Sequence, residues 1–320
     1  MRLFMFVLAF AAMASSQAQP ASPRAIEIPA WFSETLLDLR DDVREAAAQR
    51  KRVMLYFGQD GCPYCTALMT TNFSQRAIVE KTRRDFVAIA FNIWGDREVT
   101  WTDGRAMREK ELALALRVQY TPTLLFLDER GGVIVRLNGY YPPHRFEAAL
   151  DYAAARSGKG MRFDEYMKTA VRESASPTLR HEPFLRKPPV ELQGAKPVAL
   201  LFETPYCAGC DELHREGFRR PEVRKLLGRF DVYQLTLADR RTATSTWAGE
   251  LRVAYTPAIV FFDGGQEVFR IEAYVRPFHL AGAFDYVASR AYRTQASFQR
   301  YLQARAERLR GRGGRVDLWN

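Results

Sequence analysis

The chain has 320 residues, is 47% hydrophobic and carries a formal net charge of +10. That length and composition exclude a disordered protein and suffice for two globular units, each burying its own core. The arginines are spread along the chain rather than interleaved with aromatics in one patch, so the charge reads as a solvated basic surface and no nucleic-acid partner is expected.

In chain order, Met1-Arg2, the apolar run Leu3 to Met13 and Ser16-Gln17-Ala18 read as a signal peptide, residues 1–18, cut after Ala18. The run is too short to span a membrane, which takes roughly 18 residues or more, and no later stretch is long enough either. The mature chain is therefore expected in an exported, disulfide-permissive compartment, a bacterial periplasm, without a transmembrane segment. The pattern predicts an amphipathic helix over Phe32 to Gln49 and a strand from Val53 to Phe57. After the segment Gly61-Cys62-Pro63-Tyr64-Cys65 it predicts helices over Thr66 to Phe73 and Ala77 to Thr82, then a strand from Phe86 to Ile93. Trp94 to Arg105 is a polar insertion with two tryptophans, placed either as a substrate-facing wall or as cover for the core. Helix Glu109 to Arg117, the step Tyr120-Thr121-Pro122, strands Thr123 to Leu127 and Val133 to Leu137, and a closing helix Pro143 to Arg156 complete the first unit.

The same order then recurs. Cys62 and Cys65 correspond to Cys207 and Cys210, Tyr120-Thr121-Pro122 to Tyr255-Thr256-Pro257, Asp151-Tyr152 to Asp285-Tyr286, and Phe163 with Tyr166 to Phe298 with Tyr301. The second copy lacks the tryptophan insertion. Two copies of one domain account for this better than a solenoid, since a unit of this size buries its own core. The expected divisions are a first domain over 28–173, a proline-rich linker over 174–189, a second domain over 190–310 and a basic tail over 311–320. Phe184-Leu185 is apolar enough to join the second domain.

Each cysteine pair follows an apolar strand and opens a helix. At a helix start the unpaired backbone N–H groups and the helix dipole stabilise a thiolate, which makes Cys62 the nucleophile and Cys65, one turn on, the resolving thiol. Pro63 suits the first helical turn. Cys207 and Cys210 repeat the arrangement around Ala208-Gly209, where Gly209 weakens the helix start. The two pairs lie too far apart in sequence for a zinc ribbon, and no metal or cofactor is expected. If Pro122 and Pro257 follow cis bonds, Thr121 and Thr256 present backbone groups to an extended peptide, with Tyr64 beside it. The four histidines are scattered, with none at ligand-like spacing. His214, four residues after Cys210, could tune that thiol but is expected at the surface, and Asp60 and Glu203 either supply a buried acid to the pairs or are simply exposed.

With these parts in place, the chain resembles the thioredoxin superfamily twice over, from about Phe32 to Arg156 and from about Val190 to Arg290. The first half is most similar to periplasmic SoxW-like thioredoxin-related proteins, through Tyr56 to Cys65, Asn92 to Arg97, Tyr120 to Asp128 and Gly139-Tyr140-Tyr141. The resemblance implies an α/β fold of two tandem thioredoxin-like domains, each a mixed central sheet flanked by helices. It also implies reduction of oxidised periplasmic proteins by dithiol–disulfide exchange, with a membrane electron donor of the DsbD or CcdA kind. The alternatives are a disulfide isomerase, a sulfenic-acid reductase, or a second domain that only binds clients. Ordinary thioredoxins bury an acid six residues before the first cysteine; Tyr56 and Leu201 stand there instead. The two pairs are expected to act independently, because a site facing its partner domain is closed to a client.

Overall fold

The computed structural model describes residues 25–155, 160–171, 174–237, 243–253, 255–314 and 316–318. The expected signal peptide lies outside them. The chain runs α1 (Leu39–Ala48), β1 (Arg52–Gly58), α2 (Pro63–Ala67), α3 (Arg76–Asp85), β2 (Phe86–Asn92), β3 (Glu98–Thr100), β4 (Ala106–Arg108), α4 (Glu109–Ala115), β5 (Thr123–Leu127), β6 (Val133–Asn138), α5 (Pro143–Ala154) and α6 (Phe163–Ala170). The second half follows with β7 (Leu185–Arg186), β8 (Val198–Glu203), α7 (Ala208–Glu212), α8 (Pro221–Leu227), β9 (Asp231–Thr236), α9 (Ala243–Glu250), β10 (Ala258–Asp263), β11 (Gln266–Ile271), α10 (Pro277–Ala288) and α11 (Phe298–Gly311). Single π-helical turns extend α2 over Leu68–Asn72 and α7 over Leu213–Gly217.

Two mixed sheets form, in the orders β2-β1-β5-β6 and β11-β10-β8-β9-β7. In each, the strand before the cysteines is central, parallel to one neighbour and antiparallel to the other. Alternation splits it between two cores, as a sheet covered on both faces requires. Met54 and Tyr56 join the cluster under the cysteine helix and α5, whereas Val53, Leu55 and Phe57 join the one under α1 and α4. In the second sheet Ala199 and Leu201 face one cluster, and Val198, Leu200 and Phe202 the other.

Three details depart from the sequence pattern. The first helix begins at Leu39, because the Asp38 carboxylate caps it by accepting from the Arg40 amide; Leu36, outside it, is 99% exposed. The hairpin β3–β4 begins within the tryptophan insertion and closes just past it, and Trp94 and Trp101 both pack against the first domain's core. Within 174–189, Leu185 and Arg186 pair in parallel with Val232 and Tyr233, so this stretch edges the second sheet.

The domains dock through equivalent residues. Tyr120, from the first, is buried in the second domain's core with its ring 5.5 Å from Phe298. Tyr255, its counterpart, packs on the first domain's core 5.6 Å from Phe163, and its hydroxyl accepts from the Arg136 amide at 3.1 Å. Phe163 and Phe298 are themselves counterparts at the starts of α6 and α11. Such reciprocity is the signature of an isologous, two-fold-like interface.

Candidate redox sites

Both cysteine pairs are joined as disulfides, with Cα atoms 5.2 Å apart in each. Cys62 and Cys207 are the N-cap residues of α2 and α7, and each Sγ accepts a hydrogen bond from the backbone amide of the second cysteine at 3.1 Å. Sequence dictates this local form: an extended strand ends, and the helix begins on the first cysteine, with Pro63 at N1 in the first copy. The Thr121–Pro122 and Thr256–Pro257 bonds are both cis, as is Pro188–Pro189. Thr121 reaches the first pair directly, with its carbonyl oxygen and its hydroxyl each 3.4 Å from Cys62 Sγ. Gly209, which looked like a weakness of α7, is a close-approach position: a Cβ there would stand 3.1 Å from Pro257 Cδ and 3.5 Å from Tyr274 Cβ.

The two sites differ in access. Cys62 is 5% exposed, Tyr64 8% and Cys65 fully buried, all three in the first domain's core, and residues of the second domain pack around the neighbours of Cys62. Gln59 Nε2 donates to Gln299 Oε1 at 2.8 Å, Gln299 Nε2 donates to the Gln119 carbonyl at 2.7 Å, and Gln303 Nε2 donates to Gln59 Oε1 at 3.3 Å. The Arg300 guanidinium lies 4.9 Å over the Trp94 ring, whose Nε1 donates to Gln59 Oε1. Tyr64 donates its hydroxyl proton to the Leu318 carbonyl and meets the His279 ring edge-on at 5.2 Å. Helix α11 and the chain after it therefore form a cover over the first pair. Burial, with the Arg305 charge behind it, lowers the pKa of His279 to about 4, so this ring is neutral against Tyr64.

Cys207 is only half-buried and opens on an interdomain cleft of about 1190 Å³. Tyr206, Thr256, Pro257 and Tyr274 border it from the second domain, and Tyr64, Thr121, Tyr140, Phe163 and Lys168 from the first. The cleft exceeds the roughly 300–1,000 Å³ of a small-molecule pocket. It suits a peptide segment.

Beneath the second pair lie two residues that sequence reasoning left between a role at the cysteines and the surface. Glu203 and His214 are each 1% exposed rather than at the surface; Asp60 is exposed. His214 Nε2 is 3.0 Å from Glu203 Oε1 and its Nδ1 3.2 Å from Glu182 Oε1. Burial lowers the His214 pKa, but the two carboxylates outweigh it and hold the imidazole above its usual value. The signal was present: a charged residue ends an otherwise apolar strand, and His214 lies four residues from buried Cys210, on one helical face. Among the described residues no group of three His, Cys, Asp or Glu is placed to hold a metal, and no helix is long and apolar enough to cross a membrane.

A family model of the thioredoxin-like domain matches residues 39–154 and again 190–288. The chain belongs to the thioredoxin-like family. Its two thioredoxin-like domains, each with a C-x-x-C pair at a helix start, make it a thiol–disulfide oxidoreductase. Among solved structures it is similar to a thioredoxin-fold protein from Helicobacter pylori, at 26% identity over 42% of this chain and 91% of that one, TM-score 0.32. It is also similar to a thioredoxin from Thermus thermophilus, at 27% identity over 38% of this chain and 87% of that one, TM-score 0.31. The DsbD C-terminal domain of Neisseria meningitidis shares 18% identity over 28% of this chain and 79% of its own, TM-score 0.25. No curated protein matches this thioredoxin-like chain.

Proposed function

We propose that the protein reduces disulfides of exported proteins in the periplasm, with the open second pair meeting the client and a membrane thiol donor of the DsbD or CcdA kind restoring the dithiol. The observation that supports the reducing direction is the neutrality of the hydrogen-bond partners of the nucleophilic sulfurs. Cys62 Sγ meets the Cys65 amide and Thr121, and Cys207 Sγ meets the Cys210 amide. A strongly oxidising pair needs a heavily stabilised thiolate in its reduced form, commonly from an adjacent cation. Amide and hydroxyl partners stabilise it less, which keeps electrons available for a client.

In the reaction the Cys207 thiolate attacks one sulfur of a client disulfide lying in the cleft. A mixed disulfide forms and the first client thiolate leaves. Cys210 then attacks Cys207 Sγ, the Cys207–Cys210 disulfide forms, and the second client thiolate leaves with its electron pair. Cys62 and Cys65 can perform the same steps on a client once α11 is displaced. Redox titration of the full chain tests the direction: a potential near about −270 mV is expected, and one near about −120 mV refutes it. In the same chain, Cys210→Ser should accumulate a mixed disulfide on Cys207 with a model protein substrate, read by mass spectrometry.

A further inference from the structure

The two copies treat the space beside their cysteines differently, and their reciprocal docking allows a comparison position by position. Beside the first pair, Gln299 and Gln303 of α11 meet Gln59, shortly before Cys62, at 2.8 and 3.3 Å. Counting from Phe163 and Phe298, their counterparts in α6 are Asp164 and Lys168; counting from the cysteines, the counterpart of Gln59 is Thr204. A threonine is too short to answer them. The Thr204 hydroxyl lies 3.5 Å from that of Thr256, and Asp164 turns to Arg162, whose Nη2 donates to its Oδ2 at 2.6 Å. Lys168 is exposed and has no ion-pair or hydrogen-bond partner among the described residues. The helical face that closes on the first pair therefore stands off from the second, with a lysine ammonium on the wall of the cleft.

That wall has positive charge to spare. Every acidic side chain bordering the cleft among the described residues is already engaged: Asp164 by Arg162, Asp211 by the Ser176 amide at 2.7 Å, Glu212 by Arg276 at 3.4 Å and Glu272 by Arg270 at 3.0 Å. Lys168 is left over, and Arg145 adds a second cation, 5.9 Å over the Tyr141 ring. The rest of the lining is aromatic. Seven of the chain's 14 tyrosines border the cleft, and Tyr206, directly before Cys207, is 65% exposed there. Tyrosine offers a broad amphipathic surface at the cost of fixing only two torsions, which suits an extended peptide.

We propose that Lys168 is a specificity residue for the second pair: its ammonium holds an aspartate or glutamate side chain of an oxidised client whose extended segment lies in the cleft with its disulfide at Cys207. This rests on the second pair being the client-facing dithiol. The first domain thereby selects what the second domain reduces. A neutral side chain in the same place gains nothing from the ammonium, and a basic one is repelled. The exchange itself runs as described above, with Cys207 attacking and Cys210 resolving.

The experiment uses the full chain with Cys62→Ser and Cys65→Ser, so that only the second pair reports. The reduced protein is mixed with an excess of two disulfide-closed peptides in equal amounts, identical except for Glu or Gln at the residues flanking the cysteines. After an acid quench the reduced peptides are counted by mass spectrometry. Their ratio compares the two clients directly and does not depend on how much of the protein is active. The parent should favour the Glu peptide about 5-fold, which is about 1 kcal/mol at 1.4 kcal/mol per factor of ten and the upper end for a partly exposed ion pair. The preference should shrink as salt is raised. Lys168→Met should bring the ratio near one, and Lys168→Glu should invert it. Lys187→Met removes the same charge from an exposed position outside the cleft and should keep the parent's ratio. A parent ratio near one, a preference that survives Lys168→Met, or one that Lys187→Met lowers equally overturns the assignment and leaves the reductase reading standing. A parent that reduces neither peptide overturns both.

Discussion

The cover over the first pair carries a measurable energy. Gln299 is 5% exposed and makes two hydrogen bonds across the interface, accepting from Gln59 and donating to the Gln119 carbonyl. At about 1 kcal/mol net for each, Gln299→Ala removes about 2 kcal/mol from the closed arrangement. At 1.4 kcal/mol per factor of ten, the open population rises about 30-fold. If opening is fast compared with the chemistry, the rate at which a reagent reaches the buried disulfide rises by the same factor. The assay is reduction of Cys62–Cys65 by a water-soluble phosphine in the full chain carrying Cys207→Ser and Cys210→Ser, with and without Gln299→Ala, followed by thiol labelling. A rate equal in both, with unfolding midpoints within a few degrees of each other, refutes the cover as the barrier.

Two further outcomes follow from the interface. Phe298 is fully buried between Tyr120 of the first domain and Phe269 and Tyr286 of the second. Phe298→Ala should cost about 3–5 kcal/mol in urea unfolding, with both domains losing stability together. His279 has its pKa depressed to about 4 by burial and by Arg305. The unfolded ring binds its proton near pH 6.5, so stability present above that pH is lost as pH falls toward 4. His279→Gln should flatten this limb when unfolding is followed by denaturant at pH 7, 5.5 and 4.5; an unchanged slope removes His279 from the acid response.

What the sequence revealed and what it hid divide along physical lines. Strands such as Arg52–Gly58 and helices such as Pro143–Ala154 are legible because local period and turn residues set them. The cysteine pairs and the Thr-Pro steps are legible as a repeated spacing. The cover over Cys62 is not, because Gln299 and Leu318 reach it from the far end of the chain, and no local pattern encodes an interdomain contact. The expectation of independent pairs left open which face docks, and the structure packs the second domain beside Cys62. Glu203 stayed undecided between burial and the surface, and His214 was expected at the surface, for a related reason. Charge predicts exposure residue by residue, whereas burial here becomes tolerable only because three titratable groups from β8, the π turn and the Glu182 segment satisfy one another.

The exchange of Tyr120 and Tyr255 between the cores has a consequence for how such a molecule can change. Two identical subunits related by a two-fold axis must alter in step: any residue added to one is added to the other, and a helix lengthened over one catalytic face closes both. Covalent fusion lifts that bond. Here the helix that starts at Phe298 has 14 residues, ends at Gly311 and is followed by Leu318 at Tyr64 beside one cysteine pair, while its counterpart at Phe163 has 8 and leaves the other pair facing the cleft. A single chain thereby holds two versions of one catalyst, each free to drift from its twin while the shared aromatic clasp keeps them together.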